Sequence, residues 1–134
     1  MMYMLDTNIL IYAMKHPRDK IVEMLLAHTA VDICISTVTY AELLMGVEKS
    51  AYSEKNRALL TRFLFGVEIL DFDQEAAQHY ANIKATLQKQ GTPVDDLDLM
   101  IAGHARSLGY TLVTNNRKHF DRIEGIRIED WIVR

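Results

Sequence analysis

Asp6, Glu42 and Asp98 are carboxylates set in apolar sequence. Asp6 is the only charged residue among the first fourteen, Glu42 the only one in STVTYAELLMGV, and Asp98 closes the acidic group of GTPVDDLDLMIAGHA after Asp95 and Asp96. The seven residues after Asp98 carry no fixed charge. Carboxylates buried together repel one another and are costly without a counter-charge. No Lys or Arg lies within three residues of Asp6, Glu42 or Asp98. A hard divalent cation, Mg²⁺ or Mn²⁺, is the simplest substitute, because it prefers carboxylate oxygen and water. A site of that kind activates water and steadies charge on a phosphate. The five histidines lack HExxH or paired zinc-ligand spacing. Cys34, the sole cysteine, alternates with Ile33 and Ile35 as a buried strand residue would, with no activating base near it.

Each acid also has a purely structural reading. Asp6 can cap a helix starting near Asn8, Glu42 can reach solvent along a helix edge, and the three aspartates near position 96 can complement a helix dipole. Only in combination do they point to a metal.

The elements that would position them follow from periodicity. MMYML, DICIS, VEIL, YTLVT and IRIEDW read as strands, and PRDKIVEMLLAH, SEKNRALLTRFLF and DQEAAQHYANIKATLQKQG as helices. In the third of these Asp73 is the expected N-cap and Gly91 the stop. Pro17 and Pro93 each precede a helical pattern, where proline is tolerated. Ser36 or Thr37 would cap the helix that carries Glu42. Asp95 and Asp98, three apart, would share a helix face, with Asp96 turned elsewhere. Strands alternating with helices imply a three-layer α/β sandwich with a largely parallel central sheet, and ligands then bind beyond the carboxyl ends of the strands. Asp6 stands at one such end.

With 134 residues, a single domain over 1–134 is expected. Neither a membrane-spanning run nor a signal-type leader is legible, so a soluble cytoplasmic protein is expected. The net charge of −3 does not advertise a nucleic-acid binder, although acids committed to a metal would leave the remaining surface slightly positive. Basic residues gather in NNRKHFDR, a pattern that by itself suits a solvated face.

MLDTNIL, YAELLMG, DLMIAGHA and LVTNNRKHF, in that order, resemble the PIN-domain ribonucleases, and more narrowly the VapC toxins of bacterial toxin–antitoxin pairs. The resemblance runs from Met4 to the GIRIEDW that ends at Trp131. By position it places the family's catalytic, metal-holding acids on Asp6, Glu42 and Asp98, with Thr7 and Asn8 in the turn that presents Asp6. A fourth position, aspartate in many members, falls on Asn116. That departure leaves Asp95 to supply the additional negative charge, with Asn8 and Asn116 in supporting roles. The resemblance implies a PIN-like fold and Mg²⁺- or Mn²⁺-dependent cleavage of RNA, with tRNA, initiator tRNA above all, as the substrate. It also implies a homodimer, a VapB-type antitoxin covering the active-site groove, and DNA contact only through that antitoxin. Lys15, Arg18, Arg117 and Lys118 are candidate phosphate contacts on electrostatic grounds. The LLTRFLF segment offers Leu59, Leu60, Phe63, Leu64 and Phe65 for core or interface.

Rival readings remain. A haloacid dehalogenase-like phosphatase wants a second aspartate where Asn8 stands. A signalling receiver domain needs an acidic pair and a closer lysine than Lys118. An inactive PIN scaffold binding RNA or protein would not need Asp6, Glu42 and Asp98 together.

Overall fold

Parallel strands buried on both faces need continuous apolar runs, and the strands here are short versions of that pattern. The computed structural model describes residues 2–27 and 32–132. Met1 of the first expected strand and His28 of the first expected helix lie outside them. The elements run β1 (Tyr3–Leu5), α1 (Thr7–Lys15), α2 (Lys20–Ala27), β2 (Ile33–Ser36), α3 (Thr37–Lys49), α4 (Ser53–Phe63) and β3 (Glu68–Leu70). They continue with α5 (Gln74–Lys89), α6 (Asp96–Leu108), β4 (Thr111–Val113), α7 (Arg117–Phe120) and β5 (Arg127–Glu129). All five expected strands are present, and the sheet, ordered β3-β2-β1-β4-β5, is parallel throughout. No described helix is long and apolar enough to cross a membrane.

The alternation of side chains along the strands builds the three layers. Leu5, Ile33, Ile35 and Val113 pack into one core with Ile9 and Leu10 of α1, Ile21 of α2, Leu43 of α3 and Leu60 of α4. Met4, Cys34 and Leu112 point the opposite way, into a second core with Ile83 of α5, Leu99 and Ile101 of α6, and Phe120 of α7. In-register pairing of Met4 with both Cys34 and Leu112 keeps the two sets apart. Burial pushes the Cys34 thiol up to about 12, which makes it an inert core residue.

LLTRFLF divides between core and surface. Leu60 and Leu64 are buried, whereas Leu59 and Phe65 are exposed, Phe65 to 89 %.

The α5 boundaries follow from its ends. Asp73 accepts the amide of Ala76 at 2.9 Å, and Gly91 takes a positive φ of 68° just beyond the last turn. There the amide of Thr92 returns to the Leu87 carbonyl at 3.0 Å. Against α5 packs α6, and Gly103 permits the closest approach. A Cβ at Gly103 would stand 2.7 Å from the Tyr80 amide nitrogen and 2.9 Å from its Cα. Backbone cannot swing aside as a side chain does, so Gly103→Ala should lose roughly 1–3 kcal/mol of stability. Urea denaturation would read this as a lower midpoint at constant slope; an unchanged midpoint would mean the two helices separate freely.

Candidate active site

The order of the sheet reverses beside β1: β2 and β3 follow on one side, β4 and β5 on the other. In such sheets the loops after the two strands flanking the reversal diverge and open a crevice. Here those loops begin with Asp6, directly after β1, and Thr114, directly after β4.

Asp6 caps α1 and is also buried, with 1 % of its surface exposed. Its Oδ1 accepts the Ile9 amide at 2.9 Å, and its Oδ2 accepts the Thr114 hydroxyl at 2.5 Å across the strand boundary. Burial pushes the carboxyl up to about 6 despite these two hydrogen bonds, and the negative charges of Asp98 and Glu42 push it further in the same direction.

Glu42 is carried by α3, whose cap is Ser36: its Oγ accepts the Val38 amide at 3.1 Å. The imidazole of buried His104 holds that Oγ through Nδ1 at 2.8 Å. Thr7 donates its hydroxyl to Glu42 Oε1 at 2.6 Å, tying the first turn of α1 to α3. Burial raises the Glu42 carboxyl above its ordinary range; Thr7 opposes this, and Asp98 and Asp95 add to it.

Asp98 lies in the first turn of α6 and is raised by burial first, lowered by His119, then raised by Asp95. Asp95 is the N-cap of α6, accepting the Leu97 amide at 2.9 Å. Asp96 faces outward, where Lys84 Nζ at 2.5 Å and the Tyr80 hydroxyl at 2.9 Å both donate to it.

The fold therefore brings Asp6, Glu42 and Asp98 into one charge field, which Asp95 joins through Glu42 and Asp98, and leaves Asp96 outside that group. Among the described residues, Asp6 and Glu42 pair with no Lys or Arg. Nor do any three described His, Cys, Asp or Glu side chains already close around one point. The arrangement is an open set of hard oxygen donors with raised affinity for positive charge, which suits a hydrated divalent cation.

Three neighbours went unread in the sequence. Thr114 shares its position after a strand with Asp6, which is the only signal it carried. His119 belongs to α7, a single turn within what reads as a basic run. Its Nδ1 lies 2.8 Å from Asn116 Nδ2 and 3.3 Å from Asp98 Oδ2. One ring nitrogen serves only one of them at a time: bare, it accepts from the amide; protonated, it donates to Asp98. His104 is the third, and its partner Ser36 lies 68 residues away in the chain.

Of the basic candidates, Lys15 lines a cavity of about 420 Å³ together with the supporting residues Asn8 and Asn116. Arg117 is 3.8 Å from Asp121, one turn on. Lys118 and Arg18 are exposed.

Residues 3–126 match the PIN domain. The chain is 47% identical over 129 residues to the tRNA(fMet)-specific endonuclease VapC of Salmonella typhimurium, covering 96% of this chain and 97% of that protein. It is 45% identical over 130 residues to ribonuclease VapC2 of Haemophilus influenzae, covering 97% and 98%. Among solved structures, DNA-bound VapBC from Salmonella typhimurium superposes with a TM-score of 0.93 at 46% identity, covering 98% of each chain. VapBC2 from Rickettsia felis, bound to a fragment of its promoter, gives 0.92 at 39%, covering 98% of this chain and 99% of that one.

Proposed function

The chain belongs to the PIN-domain family, within its VapC ribonucleases, and from that membership we propose a toxin that cleaves tRNA, initiator tRNA first, with Mg²⁺ or Mn²⁺. The observation that carries the metal is the pair of carboxylates Asp6, buried, and Glu42, half-buried, both raised by desolvation and by neighbouring acids with no described Lys or Arg paired to them. Asp6, Glu42 and Asp98 would hold the ion, and Asp95 would add negative charge. When bound, such an ion makes a water easier to deprotonate and steadies charge on the phosphate and the leaving oxygen. The protein's own part is orientation. The Ile9 amide and Thr114 fix the two carboxylate oxygens of Asp6, and Thr7 fixes one oxygen of Glu42; each of these oxygens has a second lone pair with which to meet an ion. Asn8 and Asn116 flank the crevice. The relatives are named ribonucleases, and position 8 holds an amide where a dehalogenase-type phosphatase would need an acid.

Both of these solved relatives are VapBC complexes on DNA. The chain accordingly pairs with a VapB-type antitoxin and reaches DNA through it. A second copy of the chain would cover the apolar side chains left exposed around α3 and α4, namely Met45, Tyr52, Leu59 and Phe65.

The experiment is cleavage of a panel of purified tRNAs. Initiator tRNA should be cut in Mg²⁺ or Mn²⁺ and left intact in EDTA, by a preparation whose light scattering gives the mass of a dimer. Undiminished cleavage in excess EDTA would overturn the metal role, preference for an elongator tRNA would overturn the substrate, and a monomer mass would overturn self-pairing.

A further inference from the structure

The open cavity of about 420 Å³ noted above begins at Asn8, two residues beyond Asp6, and is lined by none of the four carboxylates. One wall is a single face of α1: Asn8, Ile11, Tyr12, Lys15 and His16 recur at three- and four-residue steps and all line it. The other wall is Asn115 and Asn116, in the loop after β4. The cavity thus sits between the strands where the sheet order reverses, the place where open α/β sheets bind ligands.

The α1 wall carries a stacked pair of rings, whose outer face is open to a third. The rings of Tyr12 and His16 stack with centroids 4.1 Å apart and 22° between their planes. Each ring is tied down at its edge. His16 Nδ1 is 2.9 Å from the Tyr12 carbonyl, which can only accept, so Nδ1 carries the proton and the ring is set in one orientation. The Tyr12 hydroxyl donates to Asp19 at 3.0 Å. Asn8 stands at the first-turn end of the same wall, and a side-chain amide has a donor and an acceptor in one plane, as the edge of a nucleobase does. Lys15 supplies a positive charge at the rim, suited to a phosphate.

We propose that this cavity is a nucleobase subsite: it receives one unstacked base next to the bond that is cut, continues the Tyr12–His16 stack with it and reads its edge with Asn8. The inference rests on the RNA-cleaving reading and adds to it a reason for sequence preference. Base recognition in single-stranded RNA works by this combination of aromatic stacking and edge hydrogen bonds. Continuity with the reaction is short: Asn116 borders the cavity and touches His119, which reaches Asp98.

The test is a cycle between protein and substrate. A short hairpin RNA that the wild-type protein cleaves is prepared with single abasic positions on either side of the cut. Removing one particular base should slow single-turnover cleavage at least about tenfold in the wild type, the range expected for losing one base–aromatic stack. His16→Ala, at an exposed position, should slow the intact RNA by a similar factor and lose almost nothing further on the abasic one. Additive losses, or no position sensitive to base removal, would overturn the subsite while leaving the nuclease standing. A second arm needs no catalysis: in EDTA, each of the four ribonucleoside 5′-monophosphates is titrated into the protein with NMR observation, against ribose 5-phosphate. Shifts of the Tyr12 and His16 signals with at least one nucleotide, absent with the sugar phosphate and in His16→Ala, would support the subsite. Equal shifts with ribose 5-phosphate, or no shifts at all, would reject it even if no RNA were cleaved.

Discussion

Asp98→Asn should slow RNA cleavage by on the order of 100-fold or more, about 2.7 kcal/mol in the transition state, without unfolding the protein. Its neighbours should follow in an order that geometry dictates. Asp98 sits in the charge field shared with Glu42 and Asp6, so losing its charge removes part of the proposed hold on the cation. Asp95→Asn keeps the α6 cap, because Asn caps as well as Asp, but it withdraws charge that acts on both Glu42 and Asp98. An intermediate loss, partly recovered at higher Mg²⁺, is expected. Asp96→Asn breaks only a surface pair with Lys84 and Tyr80 and should leave the rate near that of the wild type. Cleavage by the three variants over a Mg²⁺ titration, with circular dichroism for folding, measures the ranking. If all three were equal, the aspartates would be serving the helix dipole alone; if Asp96 were the most sensitive, the wrong face of α6 would have been assigned to the chemistry.

The placement behind that expectation, Asp96 turned away from Asp98, was legible in the sequence because a helix separates residues two apart onto different faces. The strands were visible too, as apolar runs bounded by polar ends. What stayed hidden depends on contacts between distant loops. Thr114 meets Asp6 only because β4 pairs with β1, and nothing local to LVTNN says which carboxylate its hydroxyl will face. His119 reaches Asp98 through α7, a helix of four residues that is too short to leave a periodic signature. The cap reading of Asp6 holds in the structure and does not exclude the proposed functional one. One oxygen caps α1 and the other lies against Thr114, in the crevice. A cap site and a charged site coincide there because both need a carboxylate at the start of the helix that follows a central strand.

The same coincidence gives Asp6→Asn an effect on stability opposite in sign to its effect on cleavage. Cleavage should fall by at least about 100-fold, as for Asp98. In EDTA above pH 6, however, the variant should be more stable than the wild type. Burial has pushed the Asp6 carboxyl up to about 6, whereas in the unfolded chain it returns to roughly 4. Between those values the folded state holds more protons than the unfolded one, so wild-type stability falls as pH rises through this window. The full cost above pH 6 is on the order of 3 kcal/mol, at about 1.4 kcal/mol per pKa unit. Asn carries no charge to bury and still accepts the Ile9 amide, though its amide nitrogen fits the Thr114 hydroxyl less well, which returns roughly 1 kcal/mol. His104, held low by burial, depends on pH in the opposite sense, but it is common to both proteins and cancels from their difference. That difference, measured by urea denaturation from about pH 4.5 to 8, should grow in favour of Asn and level off above about pH 6. Saturating Mg²⁺ should then reverse the order, because it stabilises only a folded state that binds it, by about 2.7 kcal/mol at a hundred times its dissociation constant. A variant less stable than the wild type at every pH in EDTA would mean that Asp6 is a satisfied structural cap, and that its burial stores no affinity for a cation.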